Sequence, residues 1–133
     1  MTDGNTTQER LEGLRILLVE DEAMIAMLVE DVLTDGGAKV IGPAGGVQAA
    51  LEAISREEID GALLDVNLGG EQSFEVAEAL ASRNIPFVFV TGYGGAGVRD
   101  RYPQAPTLQK PFLTSDLEDA LAGLAGAARG RSA

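Results

Sequence analysis

Short apolar runs alternate along the chain with longer stretches in which apolar and polar residues mix. These runs lie within residues 15–19, 62–64 and 87–90, and a shorter one lies within residues 39–41. Continuous apolar runs of this length are typical of strands that a parallel sheet buries on both faces. The pattern therefore predicts four short strands, and a fifth is predicted near residues 107–109.

Between the predicted strands, apolar residues recur at intervals of three and four, as they do on one face of a helix. This spacing predicts helices over residues 22–34, 47–54, 73–82 and 115–124. Gly36 and Gly37 follow the first of these stretches and favour a helix end. Ser115 and Glu118 have the spacing of a capping box, which predicts that the last helix begins there.

The segment between the last two strands, residues 92–106, differs from the other connections. Glycines stand at positions 92, 94, 95 and 97. Because glycine destabilises the interior of a helix, a fourth helix in this segment is predicted to be weak or absent.

The alternation of strands and helices predicts an α/β fold, in which helices cover both faces of a doubly wound, five-stranded parallel sheet. The chain has 133 residues, of which 45% are hydrophobic, and this suits a single domain. We expect the domain to cover residues 14–125, with an N-terminal tail over 1–13 and a C-terminal tail over 126–133.

The chain is strongly acidic, with a formal net charge of -11. A field of this sign repels phosphate backbones and anionic membrane surfaces, so no direct binding to nucleic acid is expected. No apolar run reaches the roughly 18 residues that a membrane span needs, and residues 1–12 lack the pattern of a secretory signal. We therefore expect a cytoplasmic protein without membrane insertion.

Polar residues occupy the ends of four of the predicted strands. The acidic triplet 20–22 follows the first strand, Asp65 ends the third, Thr91 the fourth and Lys110 the fifth. Ligands bind at the carboxyl ends of the strands in a doubly wound sheet, so these side chains are expected to converge. Crowded carboxylates need a compensating cation. Since the chain has no cysteine or histidine, its oxygen ligands suit Mg²⁺, with Mn²⁺ or Ca²⁺ as possible substitutes.

This arrangement of residues suits phosphoryl transfer. The carboxylate of Asp65 can act as the nucleophile and form an aspartyl phosphate. The hydroxyl of Thr91 and the ammonium of Lys110 can stabilise charge on the phosphoryl oxygens. Taken singly, each residue also has a structural interpretation: the acidic triplet 20–22 could favour a helix N-terminus, Thr91 could be a strand residue, and Lys110 could be a surface charge.

The motifs around these residues resemble those of bacterial response-regulator receiver domains. They are LLVEDE at 17–22, LLDVNLGG at 63–70, VTGYG at 90–94 and QKPF at 109–112. The resemblance extends from about Leu14 to Leu124 and implies a flavodoxin-like sheet with the strand order 2-1-3-4-5. It also implies a cis peptide bond before Pro111.

The resemblance implies roles for the individual residues at this site. Asp65 would be the phosphoacceptor and would share in binding the metal. Asp21 would bind the metal directly, Glu20 would hold it through a water molecule, and Asn67 would contribute its backbone carbonyl. Among the remaining residues, Thr91 would hydrogen-bond the phosphoryl group, and Lys110 would pair with it.

The chain departs from the usual receiver pattern in two places. Thr107 stands three positions before the lysine, where receivers commonly have an aromatic residue, so the usual coupling of Thr91 to that aromatic is not expected. The segment 89–94, FVTGYG, is similar to a subgroup of receivers named for a Phe-Ala-Thr-Gly-Tyr-like motif. Members of that subgroup are often single-domain proteins.

The resemblance implies a stand-alone signalling module that is controlled by phosphorylation and is not an enzyme beyond its own phosphorylation and dephosphorylation. A sensor histidine kinase or a histidine phosphotransfer protein would supply the phosphoryl group. The signal would pass to a downstream protein or along a phosphorelay. The main alternative is a phosphorylation-independent adaptor. A phosphatase with an aspartate nucleophile is disfavoured, because Asn67 stands where those enzymes have a second Asp.

Overall fold

The structure is a computed structural model that describes residues 11–92 and 98–132. Its strands are β1 (Arg15–Val19), β2 (Lys39–Ala44), β3 (Gly61–Asp65), β4 (Asn67–Leu68), β5 (Glu71–Gln72), β6 (Phe87–Thr91) and β7 (Thr107–Gln109). Its helices are α1 (Ala23–Asp35), α2 (Val47–Arg56), α3 (Phe74–Ser82), α4 (Val98–Arg101) and α5 (Thr114–Ser132). No helix in these two ranges is long and apolar enough to cross a membrane.

Five of the strands form one parallel sheet in the order β2-β1-β3-β6-β7. Counted along the chain within this sheet, the order is 2-1-3-4-5, so the predicted fold and strand order are confirmed. The pairing brings Asp65 opposite Val90, and Thr91 opposite Gln109. As a result, the carboxyl ends of β3, β6 and β7 lie at one edge of the sheet.

The sheet is buried between two separate apolar cores, which explains the continuous apolar runs in the sequence. Residues along β1 alternate between them: Leu17 and Val19 face the core formed with α2 and α3, whereas Ile16 and Leu18 face the core formed with α1 and α5. Both faces of the central strands therefore need apolar side chains, as in other parallel sheets covered by helices.

A small antiparallel hairpin, β4 and β5, lies between β3 and α3 and was not predicted as a pair of strands. Two glycines form the turn between these strands. Gly69 and Gly70 have φ angles of 58° and 97°, a conformation that glycine adopts without steric cost. The hairpin thus begins two residues after Asp65, at the edge where the strand ends meet.

The predicted tails are corrected at both ends of the domain. Leu11 is buried and its N–H donates to the carbonyl of Gly36, so residues 11–13 belong to the folded part, whereas residues 1–10 lie outside the described ranges. The last helix continues to Ser132 instead of ending before Gly126. Its continuation is anchored by Ala128, which is buried in the same core as α1.

Three further local predictions have different outcomes. The last helix begins at Thr114, not at a Ser115 cap, and the carboxylate of Asp116 accepts a hydrogen bond from the N–H of Leu113 at 3.1 Å. Asp116 is the third residue of the helix, and Leu113 directly precedes the helix. Their hydrogen bond is one of the two that a capping box contains. The fourth helix is a single turn, as its glycine-rich surroundings predicted. The peptide bond before Pro111 is cis.

Candidate functional site

The polar residues that follow the strands meet at one edge of the sheet. Glu20 follows β1, Asp65 ends β3, Thr91 ends β6 and Lys110 follows β7. Their strands are held in register by the parallel ladder, and the N–H of Lys110 donates to the carbonyl of Thr91 at 2.7 Å. Sequence positions up to 90 residues apart thus form a single cluster.

Three carboxylates form the acidic part of this cluster. Oxygen atoms of Glu20, Asp21 and Asp65 all lie within 4.8 Å of one another. Glu20 and Asp65 are buried, whereas Asp21 is exposed. Three oxygen ligands at this spacing fit a hard divalent cation such as Mg²⁺, whose remaining positions are taken by water and by substrate oxygens. The residues present are therefore suited to holding the predicted metal.

The ammonium group of Lys110 is surrounded by carboxylates. Its Nζ lies 2.6 Å from Glu22, 3.0 Å from Asp65 and 3.2 Å from Glu20. The side chain of Lys110 is 15% exposed and that of Asp65 is 6% exposed, so water screens their attraction only weakly. The lysine thus neutralises part of the acidic charge in this structure.

The turn after β3 is fixed by the side chains of Asp65 and Asn67. The carboxylate of Asp65 accepts a hydrogen bond from the N–H of Asn67 at 3.2 Å, and the side-chain oxygen of Asn67 accepts one from the N–H of Gly70 at the same distance. Asn67 therefore lies beside the acidic cluster. Its predicted role as a ligand through the backbone carbonyl stays a prediction.

Burial and crowding change the pKa of the carboxyl group of Glu20. Burial raises this pKa from 4.5 to about 7, the N–H of Glu22 opposes the increase, and Asp65 adds to it. For Lys110, burial lowers the pKa of the ammonium, but hydrogen bonds to Glu22 and Asp65 outweigh this effect and raise it above its ordinary value. A raised carboxyl pKa next to other carboxylates indicates a site that binds positive charge.

The chain departs from the usual receiver pattern at Thr107 and in the segment 89–94, which contains Thr91. Thr107 is exposed at the start of β7. A threonine, and not an aromatic residue, therefore stands three positions before Lys110. Thr91 is buried, and its predicted contact with the phosphoryl group stays a prediction. Tyr93, within the VTGYG motif, lies outside the described residues.

Sequence reasoning did not assign a separate role to Glu22, although this residue makes the shortest contact with Lys110. The available signal was its place directly after Glu20 and Asp21 in the acidic triplet. Both Glu22 and Lys110 also line an open cleft of about 590 Å³. The other residues of the cleft are Ile25, Leu28, Gly92, Gln109, Pro111 and Phe112.

The fold and the site agree with the comparison to known families. Residues 16–122 match the sequence model of the response regulator receiver domain. The chain belongs to this family. Receiver domains are the phosphoryl-accepting modules of two-component systems, in which histidine kinases and phosphotransfer proteins are the donors.

Relatives support the same assignment. The chain is 31% identical over 125 residues to the transcriptional regulatory protein PdtaR of Mycobacterium tuberculosis, covering 91% of this chain and 61% of PdtaR. It therefore spans less than two thirds of that relative. Among solved structures, SdrG from Sphingomonas melonis Fr1 has 48% sequence identity and a TM-score of 0.74, with 84% of this chain and 95% of SdrG covered. A BeF3-activated conformation of SdrG is also similar, with a TM-score of 0.70 over 83% of this chain and 95% of that one.

A solved structure also bears on the metal. The receiver domain of a sensor histidine kinase from Pseudomonas aeruginosa PAO1, solved with a magnesium ion coordinated in the active site cleft, has 26% sequence identity and a TM-score of 0.73. The match covers 86% of this chain and 98% of that domain. A similar fold can therefore hold magnesium in its active site cleft.

Proposed function

We propose that this chain accepts a phosphoryl group on Asp65 in a Mg²⁺-dependent reaction. The observation that carries the proposal is the position of the Asp65 carboxylate, which lies among the cluster of acids and 3.0 Å from the ammonium of Lys110. The carboxylate is thus flanked on one side by a candidate cation site and on the other by a cationic donor.

The residues have complementary roles in the proposed reaction. An oxygen of Asp65 bonds to phosphorus while the bond from phosphorus to the imidazole nitrogen of a donor phosphohistidine breaks, and the imidazole leaves. Lys110 and the hydroxyl of Thr91 donate hydrogen bonds to the phosphoryl oxygens and stabilise their charge.

Mg²⁺, when bound, would neutralise further charge on the transferred group. Asp21 and Asp65 would hold it directly, Glu20 through a water molecule, and Asn67 through its backbone carbonyl. Mn²⁺ or Ca²⁺, with the same preference for oxygen ligands, could take its place. Support for this ligand set comes from the closeness of the three carboxylates and from the Asp65–Asn67 hydrogen bond.

The donor would be a sensor histidine kinase or a histidine phosphotransfer protein, and the signal would pass to a downstream protein or along a phosphorelay. We propose a stand-alone module, on the basis of its similarity to SdrG over 95% of that chain. Its net charge of -11 argues against nucleic acid as a direct ligand.

The proposal is tested by incubating the purified chain with acetyl phosphate and Mg²⁺ and measuring its intact mass. The wild type should gain the mass of one phosphoryl group, and a chelator should abolish the gain. Asp65→Asn should gain nothing. Asp31→Asn, which changes an exposed acid on α1, is the matched control and should be labelled like the wild type. Equal labelling of Asp65→Asn and the wild type would refute the assignment.

A phosphorylation-independent adaptor is the second candidate, favoured by one observation. Thr107 has neither the size nor the burial to act as the aromatic that usually moves with the threonine after phosphorylation. The two candidates differ in the response to BeF₃⁻ and Mg²⁺. Amide chemical shifts that change only around Asp65 favour the adaptor, whereas changes that extend into α4 and β7 favour the phosphorylation-controlled module.

A further inference from the structure

Glu22 holds the ammonium of Lys110 more closely than the two buried acids do. The distance from Nζ to the Glu22 carboxylate is 2.6 Å, compared with 3.0 Å to Asp65 and 3.2 Å to Glu20. Glu22 stands directly before α1, and its side chain is 59% exposed. It is thus an accessible acid that reaches across the rim of the site to the lysine.

The three contacts use the whole donor capacity of the lysine. An ammonium group has three N–H donors, and three carboxylates lie within hydrogen-bond distance of Lys110 Nζ. An oxygen of a phosphoryl group on Asp65 can therefore gain a hydrogen bond from Lys110 only when one of these carboxylates gives up its own.

Glu22 differs from the other two acids in its relation to the reaction. Glu20 and Asp65 belong to the carboxylate cluster that suits a cation, and Asp65 itself carries the phosphoryl group in the proposed reaction. Glu22 is not part of that cluster. Its charge would remain beside Lys110 after Asp65 is modified and would repel the incoming phosphoryl oxygens.

We propose that Glu22 is a positioning residue that draws Lys110 toward α1 and thereby weakens its hold on the phosphoryl group. This inference rests on the proposed function of Asp65 as the phosphoacceptor. Glu22 sets how tightly the site binds a phosphoryl group at a given Mg²⁺ concentration. Removing its charge weakens its hydrogen bond with Lys110 and removes a nearby repulsion.

The experiment is a titration with BeF₃⁻, a mimic of the phosphoryl group, at saturating Mg²⁺. Binding is monitored through amide chemical shifts. Glu22→Gln should bind BeF₃⁻ about two- to fivefold more tightly than the wild type, the range expected for one partly exposed ion pair. Acetyl phosphate should also phosphorylate Glu22→Gln faster than it phosphorylates the wild type. Glu57→Gln is the matched control and should equal the wild type, since Glu57 is an exposed acid directly after α2, at the opposite edge of the sheet.

Glu22→Asp separates the contact from the charge. Aspartate keeps the charge but is one methylene group shorter, so the 2.6 Å contact is lost or lengthened. Binding of BeF₃⁻ that is tighter than in the wild type supports the positioning role. Wild-type binding by Glu22→Asp together with tighter binding by Glu22→Gln overturns it, because charge alone would then explain the effect.

The remaining outcomes are distinct. If Glu22→Gln and Glu57→Gln bind BeF₃⁻ equally, Glu22 does not control the lysine and the inference is wrong, while the function of Asp65 stands. If the wild type neither binds BeF₃⁻ nor gains a phosphoryl group, the proposed function fails as well. Thermal unfolding of each variant confirms that the proteins compared are folded.

Discussion

Without a bound metal ion, the protein should lose stability as the pH rises from about 5 to about 8. The carboxyl group of Glu20 has a pKa of 4.5 when unperturbed and of about 7 in the folded protein, mainly because of its burial. The folded state therefore holds this proton more tightly than the unfolded chain, so stability falls as the proton is lost. Each pKa unit corresponds to 1.36 kcal/mol, so ionising Glu20 in the folded state costs about 3 kcal/mol.

This cost should be measurable because the total stability of a small domain is only about 5–15 kcal/mol. The side chain of Glu20 is 3% exposed, so screening by water reduces the cost little. The raised pKa of Lys110 does not change the pH dependence of stability in this range. A raised lysine pKa adds stability that is fully present below about 10.4 and is therefore constant across this pH range.

The assay is urea unfolding followed by far-UV circular dichroism, with a chelator present, at several pH values. Glu20→Gln is the reference, since it keeps the shape of the side chain but cannot ionise. Relative to the wild type, it should gain about 2–3 kcal/mol of stability between pH 5 and pH 8, because part of the change occurs below pH 5. Parallel pH profiles for the two proteins would refute the reasoning. They would show that Glu20 titrates alike in the folded and unfolded states.

Three further predictions concern stability and are checked by the same urea unfolding at neutral pH. Ser73→Ala should leave the free energy of unfolding unchanged or raise it by up to about 1 kcal/mol, because the buried hydroxyl has no hydrogen-bond partner among the described residues; a loss beyond 1 kcal/mol would contradict this. Gly61→Ala should destabilise the protein by about 1–3 kcal/mol, since its Cβ would lie 3.1 Å from the buried side chain of Leu124. An unchanged urea midpoint would show that the side chain of Leu124 moves aside without cost. Glu58→Gln should cost less than about 1 kcal/mol, because its ion pair with Arg15 is largely exposed; a larger loss would indicate a stronger pair.

The sheet could be predicted from the sequence because burial on both faces constrains every position of a central strand. In β1, alternate residues face opposite cores, so the run is apolar throughout and its limits, Arg15–Val19, match the predicted ones. The position of the acidic cluster follows from the same geometry. Once the strands are parallel, residues such as Glu20 and Asp65 that follow or end them must lie at one edge.

Features that depend on a distant partner could not be predicted in this way. The continuation of α5 beyond Gly126 depends on the burial of Ala128 in a core shared with α1, which outweighs the low helix propensity of glycine. The contact between Glu22 and Lys110 joins positions 88 residues apart. Sequence spacing indicates that both are near the site, but it does not indicate which carboxylate lies closest to the lysine.

The charges at this edge of the sheet imply that metal and phosphoryl binding are linked. Three carboxylates, those of Glu20, Glu22 and Asp65, lie around a single ammonium, that of Lys110, and Asp21 lies beside Glu20 and Asp65. A phosphoryl group adds about -1.5 to -2 charges to this already acidic site. A divalent cation held by Glu20, Asp21 and Asp65 would offset most of that addition, and Lys110 would then donate to the phosphoryl oxygens. Each ligand should therefore increase the affinity for the other, and this coupling must be reciprocal.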